Sequence, residues 1–292
     1  MIKLVDVNKS YGKTPVLSQI NLKLEDNKIY GLLGRNGVGK TTLLNMIGNQ
    51  IKASSGHISL DDQGIFENSQ ALSDICIVKE EGIGVEDIKL KEIFETAGIL
   101  YKNWDEDYKD LLINEFNLDS KKKFNKLSRG NQTLVGLIVG LASRARYTIF
   151  DEPSLGLDAA HRDRFYSLIL EDWEKNPRTI VISTHLIDEV TSVFEEVIIL
   201  KDEKVFIKEE VASLMKRAYY LNGNQDTIIS VIDRDKIIHR EKFGNTVIIA
   251  LFDELDNGTK EDLRGKNIEI SPIPLQKLFI YLTENHLSKE AM

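Results

Sequence analysis

The sequence predicts an α/β protein built around a largely parallel β-sheet, and three observations support this prediction. Between residues 29 and 207, short apolar segments typical of buried strands alternate with segments of helical periodicity, as expected for β-α-β units. A glycine-rich turn at residues 34–39 separates the first of these strands from a helix. Hydrophobic residues make up 42% of the 292 residues, which is enough for a sizeable core in one large domain or two.

The bulk composition argues against several classes of partner. The net charge of −8 disfavours binding to nucleic acid or to an anionic lipid surface. Cys76 is the only cysteine, so the chain forms no internal disulfide, which is typical of a reducing compartment. The longest segment without a charged residue, 130–143, is too short to cross a bilayer. Any membrane-spanning part is therefore expected to belong to another chain.

The N-terminal part predicts an antiparallel β subdomain. Residues 1–7 and 16–24 have strand patterns and flank a turn at Tyr11-Gly12. Tyr11 could stack on a purine base, although a tyrosine in a core or at a sheet edge is the more frequent case. A helix follows the glycine-rich turn and extends to about Ile47, and further strands are expected at 56–60 and 75–78.

The segment from about residue 85 to residue 143 predicts an inserted helical subdomain. It combines mixed charge with apolar residues at helical spacing, and its last helix has an apolar face that begins at Leu134. Ser128 precedes this helix and is well placed as its N-cap. The N-terminus of such a helix is a potential anion-binding site. The alternation then resumes, with strands expected at 147–150, 179–182, 197–200 and 204–207 and helices at 159–175 and 186–194.

The tail, residues 214–292, predicts a small α+β domain that is separate from the domain formed by residues 1–213. Its apolar segments lie at 219–221, 227–232, 237–240, 246–252 and 268–270, and an amphipathic helix follows from Leu275. The tail could pack on its own small sheet without a further role. Alternatively, it could pair two copies of the chain or regulate their activity.

The glycine-rich turn matches G-x-x-x-x-G-K-[ST], the pattern of a phosphate-binding loop (P-loop), between a strand and a helix. In such a loop, successive backbone N–H groups and the helix N-terminus face anionic oxygens. Lys40 is expected to contact the β- and γ-phosphates, and Thr41 is expected to ligate Mg²⁺. The predicted nucleotide-binding residues of the loop are Gly34, Arg35, Asn36, Gly37, Val38, Gly39, Lys40, Thr41 and Thr42.

Three more polar segments follow predicted strands, at Lys79-Glu80-Glu81, at Asp151-Glu152 and at His185. Ligands of parallel sheets lie beyond the carboxyl ends of the strands, so these segments are expected to meet the P-loop there. Asp151 could hold Mg²⁺ and its water shell, and Glu152 could polarise an attacking water, although an acidic pair can also simply end a strand. His185 could donate to the γ-phosphate or orient Glu152, although a lone histidine at a strand end is usually structural.

Residues 127–131 (LSRGN) resemble the signature motif of ABC-type ATPases, and residues 154–158 (SLGLD) resemble the D-loop of the same family. The P-loop, the acidic strand end and His185 occur around them in the family's order, so the resemblance covers about residues 1–210. It implies a P-loop NTPase fold of the ABC cassette type, hydrolysis of ATP with Mg²⁺, and a head-to-tail dimer.

The resemblance also implies roles for individual residues. Tyr11 would stack on the adenine, and Asp151 would bind Mg²⁺ together with Thr41. Glu152 would be the catalytic base and His185 the switch residue. Glu80 would occupy the Q-loop position, where glutamine is usual; its carboxylate can still ligate Mg²⁺, but it adds negative charge near the phosphates.

In the implied dimer, Ser128 and Gly130 would cap the γ-phosphate that is bound to the partner subunit's Lys40. A second helix N-terminus would then complete the positive field around the triphosphate. Arg129 and Asn131 replace the glycine and glutamine that are usual in the signature motif. Because Ser128 and Gly130 are present, hydrolysis is still expected.

The sequence therefore predicts the ATP-hydrolysing subunit of a bacterial ABC exporter, which powers a separate permease from the cytoplasmic face of the membrane. Residues 183–189 (STHLIDE) are most similar to ABC-2 exporter ATPases, and within these to cassettes of operons with a GntR-type regulator, including antibiotic-responsive and cytolytic-peptide exporters. The alternatives are an ABC ATPase that acts as a soluble assembly factor without a transporter, and a nucleotide sensor without turnover. The working dimer could contain two copies or a sister ATPase.

Overall fold

The computed structural model describes residues 1–79, 87–244 and 246–284, and the chain divides into two compact units. The first unit comprises Met1–His185 and Ser192–Lys208. The second comprises Leu186–Thr191 and the described residues from Glu209 onward. Each unit has its own sheet and its own apolar core.

The secondary structure before the tail follows the expected alternation. Its strands are β1 (Ile2–Tyr11), β2 (Thr14–Leu24), β3 (Ile29–Gly34), β4 (Ser55–Leu60), β5 (Gln63–Gly64), β6 (Ile75–Val78), β7 (Tyr147–Asp151), β8 (Thr179–Ser183), β9 (Glu196–Lys201) and β10 (Lys204–Glu210). Its helices are α1 (Lys40–Ile47), α2 (Ser69–Leu72), α3 (Leu90–Leu100), α4 (Glu106–Glu115), α5 (Arg129–Ala142), α6 (Ala159–Lys175) and α7 (Ile187–Val190).

The central sheet of the first unit has the strand order β10-β9-β3-β8-β7-β6, and β9, β3, β8, β7 and β6 are parallel. Every residue of β3, β7 and β8 is buried, which is why apolar residues dominate these strands in the sequence. The carboxyl ends of the three strands lie side by side, so the residues that follow them share one edge of the sheet. The predicted parallel α/β core is confirmed.

Two further parts of the first unit confirm the predicted fold class. β2, β1, β4 and β5 form an antiparallel sheet, and its apolar residues join one core cluster with Leu43, Leu44 and Met46 of α1. The helices α3, α4 and α5 lie between β6 and β7 in the chain, in the predicted helical segment. The side-chain oxygen of Ser128 accepts a hydrogen bond from the Asn131 N–H, so Ser128 is the N-cap of α5 as predicted.

A buried ion network connects three helices of the first unit. The Asp172 carboxylate on α6 pairs with Arg144 and lies 2.7 Å from Nη1 of Arg178. Arg144 also lies 2.9 Å from Asp105, whose side chain caps the N-terminus of α4. Both arginines and Asp172 are largely withdrawn from solvent. The network therefore fixes the start of α4 to the chain after α5 and to the end of α6.

The second unit is an α+β unit, as the tail sequence predicts. Its antiparallel sheet has the order β12-β13-β11-β14. The strands are β11 (Ala218–Gly223), β12 (Ile237–Phe243), β13 (Thr246–Phe252) and β14 (Glu269–Pro272), and the helices after α7 are α8 (Val211–Met215), α9 (Gln225–Ile229), α10 (Asn257–Gly265) and α11 (Leu275–Thr283).

One segment is shorter than the sequence predicts, and another is not assigned to a helix or a strand by the sequence. The apolar segment 227–232 begins within helix α9, because the Asn224 side chain accepts a hydrogen bond from the Thr227 N–H and caps that helix. The helix expected at 186–194 is limited to α7, consistent with the low helix propensity of the β-branched residues Val190, Thr191 and Val193. Among the described residues, no helix combines the length and the hydropathy needed to span a bilayer.

We predict that Asp172→Ala destabilises the first unit strongly, because it leaves the buried Arg144 and Arg178 without their shared carboxylate. Breaking a buried ion pair in this way costs about 3–5 kcal/mol. The shift of the urea unfolding midpoint measures the loss. Asp62→Ala is a suitable control, since Asp62 is mostly exposed and pairs only at the surface with Lys3. Equal midpoints for the two variants would contradict the structural role of the network.

Candidate functional site

The P-loop joins the end of β3 to the start of α1, and its glycines are required by its geometry. Gly37 and Gly39 have φ angles of +81° and +107°, which side chains of L-residues rarely adopt. A Cβ atom on Gly34 would lie 2.5 Å from Cγ1 of Val38, so the loop closes tightly at its base. The backbone N–H groups at the start of α1 have no acidic side chain in the first turn to compete with an anion.

Lys40 is buried although it carries a charge. Only 7% of its surface is exposed, and its ammonium donates a hydrogen bond of 2.8 Å to the Gly34 carbonyl. The same Nζ lies 3.8 Å from Oε1 of Glu152. This ion pair is long, and an ammonium has three donors. Lys40 is therefore held over the loop while it keeps the capacity to bind phosphate oxygens.

Glu152 connects Lys40 with His185, so the structure brings together three of the predicted site residues. Its Oε2 lies 2.8 Å from Nδ1 of His185 and accepts a hydrogen bond of 3.3 Å from the His185 backbone N–H. The carboxylate is buried, whereas the histidine ring is partly exposed. A carboxylate in this position is oriented by a histidine that is itself open to solvent.

The backbone of Glu152 is in an unusual conformation. Its φ angle is +51°, in the left-handed region, which costs an L-residue on the order of 1 kcal/mol. The Glu152 N–H donates a hydrogen bond of 2.8 Å to the carbonyl of Ser183 at the end of β8. This bond stabilises the turn after β7 and directs the Glu152 side chain towards Lys40 and His185.

Asp151 fits a magnesium site. It is 4% exposed, and its Oδ1 is buried without a hydrogen-bond partner among the described residues, an arrangement that calls for a water or an ion. No group of three His, Cys, Asp or Glu residues capable of holding a metal occurs in the described part of the chain. Mg²⁺ usually takes one or two protein ligands and completes its shell with waters and phosphates. Thr41 and Asp151 would hold the ion, which screens charge on the triphosphate; Glu80 lies outside the described residues.

The start of α5 is locked to residues 154–158. A Cβ atom on Gly130 would lie 2.8 Å from the carbonyl oxygen of Gly156, so only glycine allows this close approach. The Thr133 hydroxyl donates a hydrogen bond of 3.1 Å to the Leu155 carbonyl. Ser128 is exposed at the helix start. The two segments that resemble the signature motif and the D-loop therefore form one packed element, a contact that the sequence alone does not reveal.

Tyr11 lies at the end of β1, opposite Thr14 in the hairpin with β2. It is 52% exposed, and the Lys9 ammonium lies 5.0 Å from the centre of its ring. The expectation that Tyr11 could be a core residue is therefore wrong. Its exposure agrees both with a tyrosine at a sheet edge and with a residue that stacks on a base. Its ring is accessible to a planar ligand.

Comparison with known proteins agrees with this geometry. The family model described as "ABC transporter" matches residues 17–155, which include the P-loop, Ser128, Gly130 and Asp151-Glu152. The solved dimeric ABC transporter cassette MJ0796 has 25% identity and a TM-score of 0.64, covering 72% of this chain and 99% of that structure. The cassette fold is thus confirmed.

Three curated relatives extend the comparison. The ABC transporter ATP-binding protein YtrB of Bacillus subtilis is 25% identical over 283 residues, covering 96% of this chain and 97% of YtrB. The bacitracin transport ATP-binding protein BcrA of Bacillus licheniformis is 27% identical over 264 residues, covering 87% of this chain and 86% of BcrA. The tungstate uptake system ATP-binding protein TupC of Peptoclostridium acidaminophilum is 30% identical over 217 residues, covering 70% of this chain and 96% of TupC.

One protein family is indicated by the fold, by the P-loop geometry and by these relatives. TupC shares 30% of its residues with this chain over 96% of its own length, and the matched family model contains the P-loop together with the signature helix start. The chain therefore belongs to the ATP-binding proteins of ABC transporters and is an ATPase that binds ATP together with Mg²⁺.

Proposed function

We propose that this chain is the ATP-hydrolysing subunit of a bacterial exporter and that it powers a separate permease from the cytoplasmic face of the membrane. The observation that carries the proposal is the extent of the similarity to the bacitracin transport protein. That similarity covers 87% of this 292-residue chain, more than residues 1–213 alone would provide, so it must include part of the tail. The similarity to the tungstate uptake protein covers only 70% of this chain, which is less than the length before the tail.

The proposed cargo is a peptide or another antimicrobial compound. The similarity to a bacitracin transport protein supports this class of cargo. The resemblance of residues 183–189 to cassettes of GntR-regulated operons, as in antibiotic-responsive or cytolytic-peptide exporters, agrees with it. The rival function is an assembly factor that uses ATP without a transporter.

Co-purification from the native host in detergent separates the two functions. We expect the tagged chain to recover an integral membrane protein with several spans at a fixed stoichiometry. A tagged Lys40→Ala chain should recover the same membrane protein, because permease binding should not require bound nucleotide, and an unrelated tagged protein controls for nonspecific capture. Steady ATP hydrolysis by a chain that recovers no membrane protein would instead support the assembly factor.

In the proposed reaction, a water molecule attacks the γ-phosphate in line with the departing oxygen of ADP. Glu152 polarises this water and accepts its proton, and His185 orients Glu152 through the contact between Nδ1 and Oε2. Lys40 and the backbone of the P-loop bind the phosphates. Tyr11 stacks on the adenine. The close grouping of Lys40, Glu152 and His185 supports these assignments.

The working unit is proposed to be a head-to-tail dimer of two copies or of this chain with a sister ATPase. Ser128 and Gly130 would cap the γ-phosphate held by the partner subunit's Lys40. The exposed position of Ser128 at the N-terminus of the 14-residue helix α5 supports this role. The dimeric state of the MJ0796 cassette supports it as well.

The tail is proposed to be an accessory domain, residues 214–292, attached to an ATPase domain of residues 1–213 that contains a helical subdomain at about 85–143. The separate core around Leu221, Ile249 and Leu263 supports a tail that packs on its own sheet, in a compact unit that also includes Leu186–Thr191. Deletion after Met215 should then leave dimerisation and the ATPase rate unchanged. A change in either would favour a tail that pairs copies or regulates the cycle.

We predict that Glu152→Gln lowers the ATPase rate by about 100-fold or more, because general base catalysis contributes 10²–10⁴-fold. ATP binding should be retained, since Lys40 and the P-loop are unchanged. Phosphate release and equilibrium ATP binding measure the two effects. Glu95→Gln on the exposed face of α3 is the matched control. A normal rate in Glu152→Gln would contradict its role.

The same variant provides an assay for the dimer. Glu152→Gln should accumulate as a dimer in ATP, as measured by light scattering after size exclusion. Adding Gly130→Ala should weaken that dimer, because the new Cβ would meet the Gly156 carbonyl at 2.8 Å and displace the start of α5. Gly265→Ala, where a Cβ meets no atom within 4 Å, is the control. An unaffected dimer would contradict a role for the start of α5 in the interface.

A further inference from the structure

In the part of the chain that the structure describes, three buried side-chain oxygens at or just beyond the ends of β7 and β8 have no hydrogen-bond partner. They are Oδ1 of Asp151, Oγ of Ser154 and Oγ of Ser183. A buried polar atom without a protein partner indicates a bound water or ion. Asp151 and Ser154 belong to segments already assigned to the nucleotide site, whereas Ser183 has no assigned role there.

Asp151 and Ser183 are neighbours in the parallel ladder. They are paired in register at the ends of β7 and β8. Residues paired in this way point to the same face of a sheet, and adjacent strands are about 4.8 Å apart. The hydroxyl of Ser183 and the free carboxylate oxygen of Asp151 are therefore within reach of one shared water.

The face on which they lie is the face of α1. Ile149 and Val181 precede Asp151 and Ser183 by two residues, and both belong to the core cluster that contains Leu43 and Leu44 of α1. Side chains two residues apart on a strand share a face. The Asp151 and Ser183 side chains consequently face the helix that carries Lys40 and Thr41.

We infer that Ser183 is a positioning residue of the magnesium site, whose hydroxyl holds a water of the ion's hydration shell beside Asp151. The inference rests on the proposed assignment of Mg²⁺ to Thr41 and Asp151. Mg²⁺ keeps several of its waters in protein sites, and a hydroxyl can accept from such a water and donate to a carboxylate at the same time. Ser183 is 0% exposed, so bulk water does not satisfy it.

Ser183 also acts through its backbone. Its carbonyl accepts the Glu152 N–H at 2.8 Å, as described above. One residue thus fixes the backbone of the proposed catalytic base and the solvent around the proposed metal site. The side chain and the backbone contribute separately, so a substitution that removes only the hydroxyl tests the metal role alone.

The test measures binding of Mn²⁺, as a spectroscopic substitute for Mg²⁺, to the protein with AMP-PNP by electron paramagnetic resonance. Ser183→Ala should weaken Mn²⁺ binding by roughly tenfold, the lower range for the loss of a residue that orients a metal ligand. Binding of AMP-PNP in EDTA should be unchanged. Ser183→Thr, which keeps a hydroxyl, should restore Mn²⁺ affinity. If Ser183→Ala does not fold, Ser183→Cys replaces it, because a thiol is a weak hydrogen-bonding group.

Ser143→Ala is the matched control, since Ser143 is equally buried but its hydroxyl donates to the Gly140 carbonyl at 2.7 Å. Mn²⁺ affinity should not change in this variant. Unchanged Mn²⁺ affinity in Ser183→Ala, or an equal loss of AMP-PNP binding in EDTA, would overturn the inference. Asp151→Asn tests the metal site separately from Ser183. Unchanged Mn²⁺ binding in Asp151→Asn would contradict the metal site itself. Weaker Mn²⁺ binding in Asp151→Asn but not in Ser183→Ala would overturn only the role of Ser183.

Discussion

The buried charge of Lys40 is the constraint on which the arrangement of the site depends. A buried ammonium is costly unless it is paired and hydrogen-bonded. Its partners, the Gly34 carbonyl and the Glu152 carboxylate, come from β3 and from the turn after β7. These strands flank β8 in the sheet, so the strand order places the carboxylate of the proposed catalytic base, Glu152, beside the ammonium that is proposed to bind phosphate. The same strand order puts His185, just after β8, against Glu152.

Sequence patterns predicted the parts of the fold that are set by local physics. β3, β7 and β8 are buried on both faces, so apolar residues dominate them and the ends of the strands are recognisable. The P-loop glycines mark the start of α1. Residue patterns also placed Asp151, Glu152 and His185 at one sheet edge. The polar helix α10 was not identified, because it buries little beyond Leu263. Contacts between distant segments, such as Gly130 with Gly156, leave no local pattern to recognise.

In the proposed dimer, each chain would contribute to two nucleotide sites. The P-loop, Asp151 and Glu152 would surround one triphosphate, whereas Ser128, which is exposed at the start of α5, would face the other. Residues 154–158 connect the two, because they begin two residues after Glu152 and carry the Gly156 carbonyl that contacts Gly130. Because the backbones of Gly130 and Gly156 are in direct contact, a displacement of the start of α5 or of residues 154–158 requires the other segment to move as well. Close packing of this kind has little room for gradual deformation.

The backbone of Glu152 illustrates a conflict between folding and chemistry. Its left-handed conformation is one that glycine adopts without steric penalty, so the fold alone favours glycine at this position. A glycine, however, supplies no carboxylate between Lys40 and His185. The protein therefore gives up part of its conformational stability where the proposed reaction takes place. A change to glycine here would relieve the left-handed backbone and remove the proposed catalytic carboxylate at the same time.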